Sequence, residues 1–138
     1  MDDETPPAGM FDEALALVRD FHAAKQLLIS DCPAVPESKR EVERLAGDIE
    51  QEAAEVAEAI RLGDIEKSAR EICDLLYITF GAAISLGLPL DRLFARVHES
   101  NMTKESVAPV EGVSQKPHKG RRFREPVLAD ILAPSQRP

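Results

Sequence analysis

Glu71-Ile72-Cys73-Asp74-Leu75-Leu76-Tyr77-Ile78-Thr79-Phe80-Gly81-Ala82-Ala83-Ile84-Ser85-Leu86 is the stretch on which the reading of this chain turns. Glu71 and Asp74 are the only charged residues between Glu71 and Leu90. At about 100° per residue the apolar side chains cover every side of a helix, and a helix apolar all round belongs in a core. Glu71 and Asp74 stand three apart, so they share a face and lie one turn from each other. No Lys or Arg follows Arg70 on that helix to neutralise them.

The preceding segment repeats the anomaly. With Leu45 set at zero and about 100° per residue, Ile49 falls near 40°, Val56 near 20° and Ile60 near 60°. Glu52 falls at about −20°, inside this apolar stripe, and Glu55 at about −80°, on its edge. Glu50 and Glu58 point away, toward solvent. A glutamate within an apolar stripe is costly unless it is paired or bound to a metal. The plainer possibility is a buried ion pair with a Lys or Arg on a neighbouring helix.

Working outward, the sequence predicts an all-α helical bundle of about four main helices, with an extended C-terminal tail. Residues 1–9 read as a flexible N-terminus. A first helix is expected from about Met10 to Ile29, with Phe11, Leu15, Val18, Phe21 and Leu28 at helical spacing. Asp31 to Pro36 reads as a loop. Ser38-Lys39-Arg40-Glu41 fits a capping box that opens a second helix running to about Leu62, where Gly63 supplies a stop. Asp64 can cap a third helix, about Ile65 to Leu86. After Gly87 and Pro89 a fourth covers about Leu90 to Asn101. Residues 10–103 thus form the helical domain and 104–138 a basic tail. Phe123, Val127, Leu128, Ile131 and Leu132 suggest that part of the tail packs on the body.

Charge narrows the function classes. The net charge is −8, and residues 104–138 hold seven Lys or Arg against four Asp or Glu. Residues 1–103 therefore carry ten basic and twenty-one acidic side chains, a balance of −11. An acidic body argues against nucleic-acid binding, which needs basic surface. No run of about 18 apolar residues reads as a membrane span, and the N-terminus lacks the pattern of a signal peptide. A cytoplasmic protein is expected, with Cys32 and Cys73 as reduced thiols.

Two core-facing helices, each carrying two acids at i, i+3, can bring four carboxylates into one small volume if they pack antiparallel. Four buried negative charges repel, and hard divalent cations remove that problem. Magnesium and manganese prefer oxygen ligands, and helix bundles build carboxylate metal sites in this way. A di-iron centre needs Glu-x-x-His, and neither Glu52-Ala53-Ala54-Glu55 nor Glu71-Ile72-Cys73-Asp74 supplies the histidine.

The pattern Glu52-x-x-Glu55 followed by Glu71-x-x-Asp74 resembles the E-x-x-E…E-x-x-D signature of the all-alpha NTP pyrophosphohydrolases. That superfamily includes MazG-like proteins, dimeric dUTPases, dCTP pyrophosphatases and phosphoribosyl-ATP pyrophosphohydrolase. Asp74-Leu75-Leu76-Tyr77-Ile78-Thr79 is similar to its D-L-L-Y-V-T stretch. Val97-His98-Glu99-Ser100-Asn101-Met102-Thr103-Lys104 is similar to its V-H-x-S-N-M-S-K segment. The resemblance implies a bundle completed by dimerisation, as a homodimer or dimer of dimers. It implies two or more Mg²⁺ or Mn²⁺ ions per site on Glu52, Glu55, Glu71 and Asp74, with Asn101 and Lys104 contacting phosphate. Many members carry a second glutamate directly before the first motif acid, where this chain has Gln51. An amide cannot act as a base and ligates metal more weakly.

The implied reaction is hydrolysis of a nucleoside triphosphate, most simply a deoxynucleotide such as dUTP or dGTP, to the monophosphate and pyrophosphate. Such phosphoryl transfer needs charge neutralisation and in-line positioning of a water, which one glutamate could orient or deprotonate. Attack at the α or the β phosphorus stays open. Phe21, His22 and Tyr77 could border the base; as structure alone, Phe21 and Tyr77 would be core. Asn101 could equally be a helix cap, and Lys104 an exposed terminal lysine. The basic run Lys119 to Arg124 could touch phosphate or be solvated. Two alternatives stand beside this reading: a phosphoribosyl-ATP pyrophosphohydrolase, and a non-catalytic helical dimer acting as a regulatory or interaction protein. An acidic nucleic-acid mimic would need exposed carboxylates.

Overall fold

The computed structural model of the chain describes residues 9–106 and 116–133, so the expected flexible segment lies outside the described residues except for Gly9. It contains α1 (Asp12–Ala24), α2 (Lys39–Arg61), α3 (Ile65–Ser85), α4 (Leu90–Asn101) and the short α5 (Ala129–Leu132). Among the described residues there is no strand, only one isolated antiparallel bridge between Glu105 and His118. No single helix is long and apolar enough to cross a membrane. The helices group into two compact units, Met1–Leu88 and Pro89–Pro138.

The first unit is a helical hairpin, α2 and α3, with α1 packed on α3. Ser38 caps α2, its Oγ accepting from the Glu41 N–H at 3.4 Å. The reciprocal half of the expected capping box is missing, because the Glu41 carboxylate is held by the Arg44 guanidinium at 3.0 Å. The α2 C-terminus closes in a Schellman turn: Gly63 N–H bonds the Ile60 carbonyl and Asp64 N–H bonds the Ala59 carbonyl. Gly63 adopts φ 70°, which its missing Cβ permits. Asp64 then caps α3 by accepting from Lys67 N–H at 2.9 Å, so three residues turn the chain from one helix into the next.

Two expectations need correcting. The first helix stops at Ala24 rather than near Ile29. Gln26 turns into the left-handed region at φ 56°, and Leu27 N–H bonds the His22 carbonyl at 2.8 Å. Leu27 and Leu28 keep the apolar spacing of α1 but serve a strap instead. The Leu28 carbonyl accepts from the Ser85 hydroxyl at 2.9 Å and lies 3.0 Å from His22 Nδ1. The strap is completed by Ser30 N–H to the Ile84 carbonyl and Ala34 N–H to the Leu86 carbonyl. The second correction concerns α3, whose burial is concentrated at its C-terminal half, Gly81 to Ser85. Ile72 and Leu76 are 42% and 51% exposed in the single chain.

In the second unit, described tail residues are tied to α4. The Arg96 guanidinium grips Asp130 with two bonds of 2.9 Å and donates to the Val127 carbonyl at 2.6 Å. This pairing holds the Asp130 carboxyl below its ordinary range. Ser100 Oγ donates to the Arg124 carbonyl at 2.6 Å, and Thr103 Oγ1 accepts from Arg124 N–H at 3.0 Å. Among the described residues of this unit, Leu93 and Ile131 are the buried apolar ones.

Candidate active site

The short α2–α3 turn makes the two acid pairs face each other. Ligand oxygens of Glu52, Glu55 and Glu71 all lie within 4.8 Å of one another. Glu71 is buried, and Glu52 and Glu55 are half-buried. Asp74 is exposed and stands outside this trio, yet its charge reaches Glu52. The expected quartet is therefore a close trio, with only Glu71 buried, and a fourth acid at its margin.

Glu52 is the centre of strain. Its Oε2 is buried and has no hydrogen-bond partner. Its carboxyl is pushed above the ordinary range, first by desolvation, then by the charge of Glu55 and hydrogen bonding to it, then by Asp74 and Glu71. Among the described residues no Lys or Arg of a neighbouring helix pairs with Glu52; the cation nearest the trio is Arg70, whose Nε lies 3.8 Å from Oε1 of its neighbour Glu71 on a side chain two-thirds exposed. Clustered carboxylate oxygens, one of them buried and unpartnered, fit a hard divalent cation. Gln51, in the place of a possible further glutamate, donates from Nε2 to Glu55 Oε1 at 3.3 Å and so orients that carboxylate.

Beyond the acids, the hairpin, α1 and Leu27 line an open cavity of about 290 Å³. Phe21, His22 and Tyr77 line it, together with Arg44, Asp48 and Gly81. Phe21 and Tyr77 meet edge to face with centroids 5.4 Å apart. They are 40% and 38% exposed, so neither is a closed core residue in the single chain. His22 is buried against Gly81, where an added Cβ would come within 2.8 Å of His22 Nε2. The missing side chain at Gly81 leaves room for the imidazole against α3.

The sequence reading passed over Arg44 and Asp48, although their signal was present. On the wheel that places Glu52 near −20° and Glu55 near −80°, Asp48 falls near −60° and Arg44 near −100°. The four share one arc of α2. Asn101 and Lys104 belong to the second unit: Asn101 ends α4 and its carbonyl accepts from Lys104 N–H at 3.0 Å. Both Cys32 and Cys73 are free and exposed.

The sequence profile of the phosphoribosyl-ATP pyrophosphohydrolase family matches residues 18–101, a span that takes in both acid pairs, the cavity residues and all of α4. No curated protein matches the chain.

Proposed function

The chain belongs to the phosphoribosyl-ATP pyrophosphohydrolase family, within the all-alpha NTP pyrophosphohydrolases, and from that premise we propose that it hydrolyses a deoxynucleoside triphosphate such as dUTP or dGTP to the monophosphate and pyrophosphate. That it acts on a pyrophosphate bond follows from the family; the choice of substrate is the proposal. The observation that carries it is the Glu52, Glu55 and Glu71 cluster with its orphaned Glu52 oxygen.

Glu52, Glu55, Glu71 and Asp74 would hold Mg²⁺ or Mn²⁺, two or more per site. When bound, such ions neutralise triphosphate oxygens and acidify water. The remaining work falls to the chain. The raised Glu52 carboxyl would bind a cation in competition with a proton, which ties metal uptake to pH. Glu55, oriented by Gln51, is placed to accept the proton of an attacking water. By the family resemblance, Asn101 and Lys104 would contact phosphate, Lys104 as a point charge. Phe21, His22 and Tyr77 border the base. A homodimer or dimer of dimers in the cytoplasm completes the reading, supported by Ile65, Ile72 and Leu76, which form one exposed apolar line along α3.

The family match also favours phosphoribosyl-ATP as the substrate. The deciding experiment measures pyrophosphate release with Mg²⁺ or Mn²⁺ from dATP, dGTP, dCTP, dTTP, dUTP and phosphoribosyl-ATP. Release from a deoxynucleotide with its monophosphate as co-product is expected. Release from phosphoribosyl-ATP alone would install the second reading. No release from any, without divalent-metal binding, would overturn both and leave a helical dimer without catalysis.

A further inference from the structure

Asp48 and Arg44 are charged side chains that line the apolar cavity, and the cluster of acids gives them no role as ligands. Arg44 NH1 donates to Asp48 Oδ2 at 3.4 Å, a long bond, while its Nε and NH2 hold Glu41 at 3.2 and 3.0 Å. Glu41 thus anchors the guanidinium, and Asp48 sits beside it only loosely engaged. Asp48 lies one turn from Glu52 on α2, about 6 Å along the axis, and Arg44 about 12 Å. On α3 the sequence runs the other way, so Tyr77 and Gly81 follow Asp74 in the same direction away from the acids. The first unit therefore carries a phosphate-handling end and, one sugar's length away, a slot walled by Phe21 and Tyr77 with a carboxylate and a guanidinium side by side.

We propose that Asp48 and Arg44 are the specificity-determining residues of this slot and select a base with two adjacent N–H donors next to a carbonyl, which among the common bases is guanine. The inference rests on the pyrophosphohydrolase reading for what the acids do, and it settles which base that site takes. A carboxylate offers two acceptors and no donor, whereas a guanidinium offers only donors. The guanine edge presents N2–H, N1–H and O6 in that order, which meets both oxygens of Asp48 and an N–H of Arg44. Uracil and thymine present one N–H between two carbonyls, so one carbonyl would face a carboxylate oxygen. Adenine and cytosine place a ring acceptor beside their single amine. Discrimination arises as much from these repulsions as from the bonds gained. The aromatic walls accept any base face and add affinity without choice.

The test uses the full chain with Mg²⁺ and the α,β-imido analogues of dGTP, dITP, dUTP and dATP, titrated by calorimetry. Inosine keeps N1–H and O6 but lacks the 2-amino group. The guanine analogue should bind about 10- to 100-fold more tightly than the other three, the range for one charge-assisted hydrogen bond. Asp48→Asn should erase that preference. Tyr77 is the chain's single tyrosine and there is no Trp, so its emission should change on binding. Equal affinity for the guanine and inosine analogues in the wild-type chain would overturn the proposal, whatever the variant does. So would a guanine preference that survives in Asp48→Asn. Pyrophosphate release from the true triphosphates is read in parallel. Turnover without base preference sinks this inference and leaves the reaction standing; guanine-selective binding without turnover sinks the reaction and leaves the slot.

Discussion

Glu52 concentrates the electrostatic cost of the acid cluster in one side chain. Its folded-state carboxyl is held above the ordinary value, so folding is penalised once Glu52 ionises. The group's contribution is unpenalised below its unfolded value, and the penalty grows as pH rises from there through the raised folded value. In EDTA, the melting temperature should therefore rise as pH falls from neutral toward the carboxylate range. Saturating Mg²⁺ should flatten or reverse that slope, because the cation competes with the proton. A thermal melt series across pH, with and without Mg²⁺, reads both. Glu71→Gln removes one charge from the trio and is expected to abolish turnover and weaken metal binding while circular dichroism stays helical. Full activity in that variant would end the carboxylate-site proposal. The sequence made Glu52 legible because a charged residue stood among Leu45, Ile49 and Val56 on the wheel. It did not show that Asp74 sits outside the tight trio, since i, i+3 spacing gives a shared face and not a distance.

At the scale of elements, the hairpin could be read nearly to the residue, because its signals are local. Ser38, Gly63, Asp64 and Gly87 each act on their own turn, and the structure uses each where the sequence put it. The end of α1 could not be read, because its cause is remote. The chain leaves the helix at Gln26 so that Leu28 can meet Ser85, 57 residues on. The same packing makes two glycines respond in opposite directions. Gly81→Ala would thrust a methyl group at His22, which is buried and pinned to Leu28, and should destabilise by about 1–3 kcal/mol. Gly47 lies within α2 with nothing within 4 Å of an added Cβ, so Gly47→Ala should stabilise by about 0.5–1 kcal/mol. Denaturant melts of the two variants check both signs; a neutral Gly81→Ala would mean that His22 is free to move.

For the whole molecule, stability and cation binding are one question. A ligand that binds only the folded state stabilises it in proportion to the logarithm of its excess over the dissociation constant, by about 2.7 kcal/mol at a hundredfold excess. Mg²⁺ or Mn²⁺ should therefore raise the melting temperature and EDTA lower it. A higher melting temperature in EDTA would show that the acids do not share a metal. The all-α class was legible from periodicity alone, whereas the exposure of Ile72 and Leu76 was not, because an all-apolar helix looks the same whether its own chain or another covers it. The three-residue turn between α2 and α3 has a further consequence, for time rather than geometry. Contacts between near neighbours in sequence form fastest, and chains emerge from synthesis N-terminus first. Every acid of the site lies within residues 52–74, on two helices joined at that turn. The hairpin can thus bring its acids together while the rest of the chain is still being made, and a cation held there, as proposed, would be available to the growing protein before its final shape.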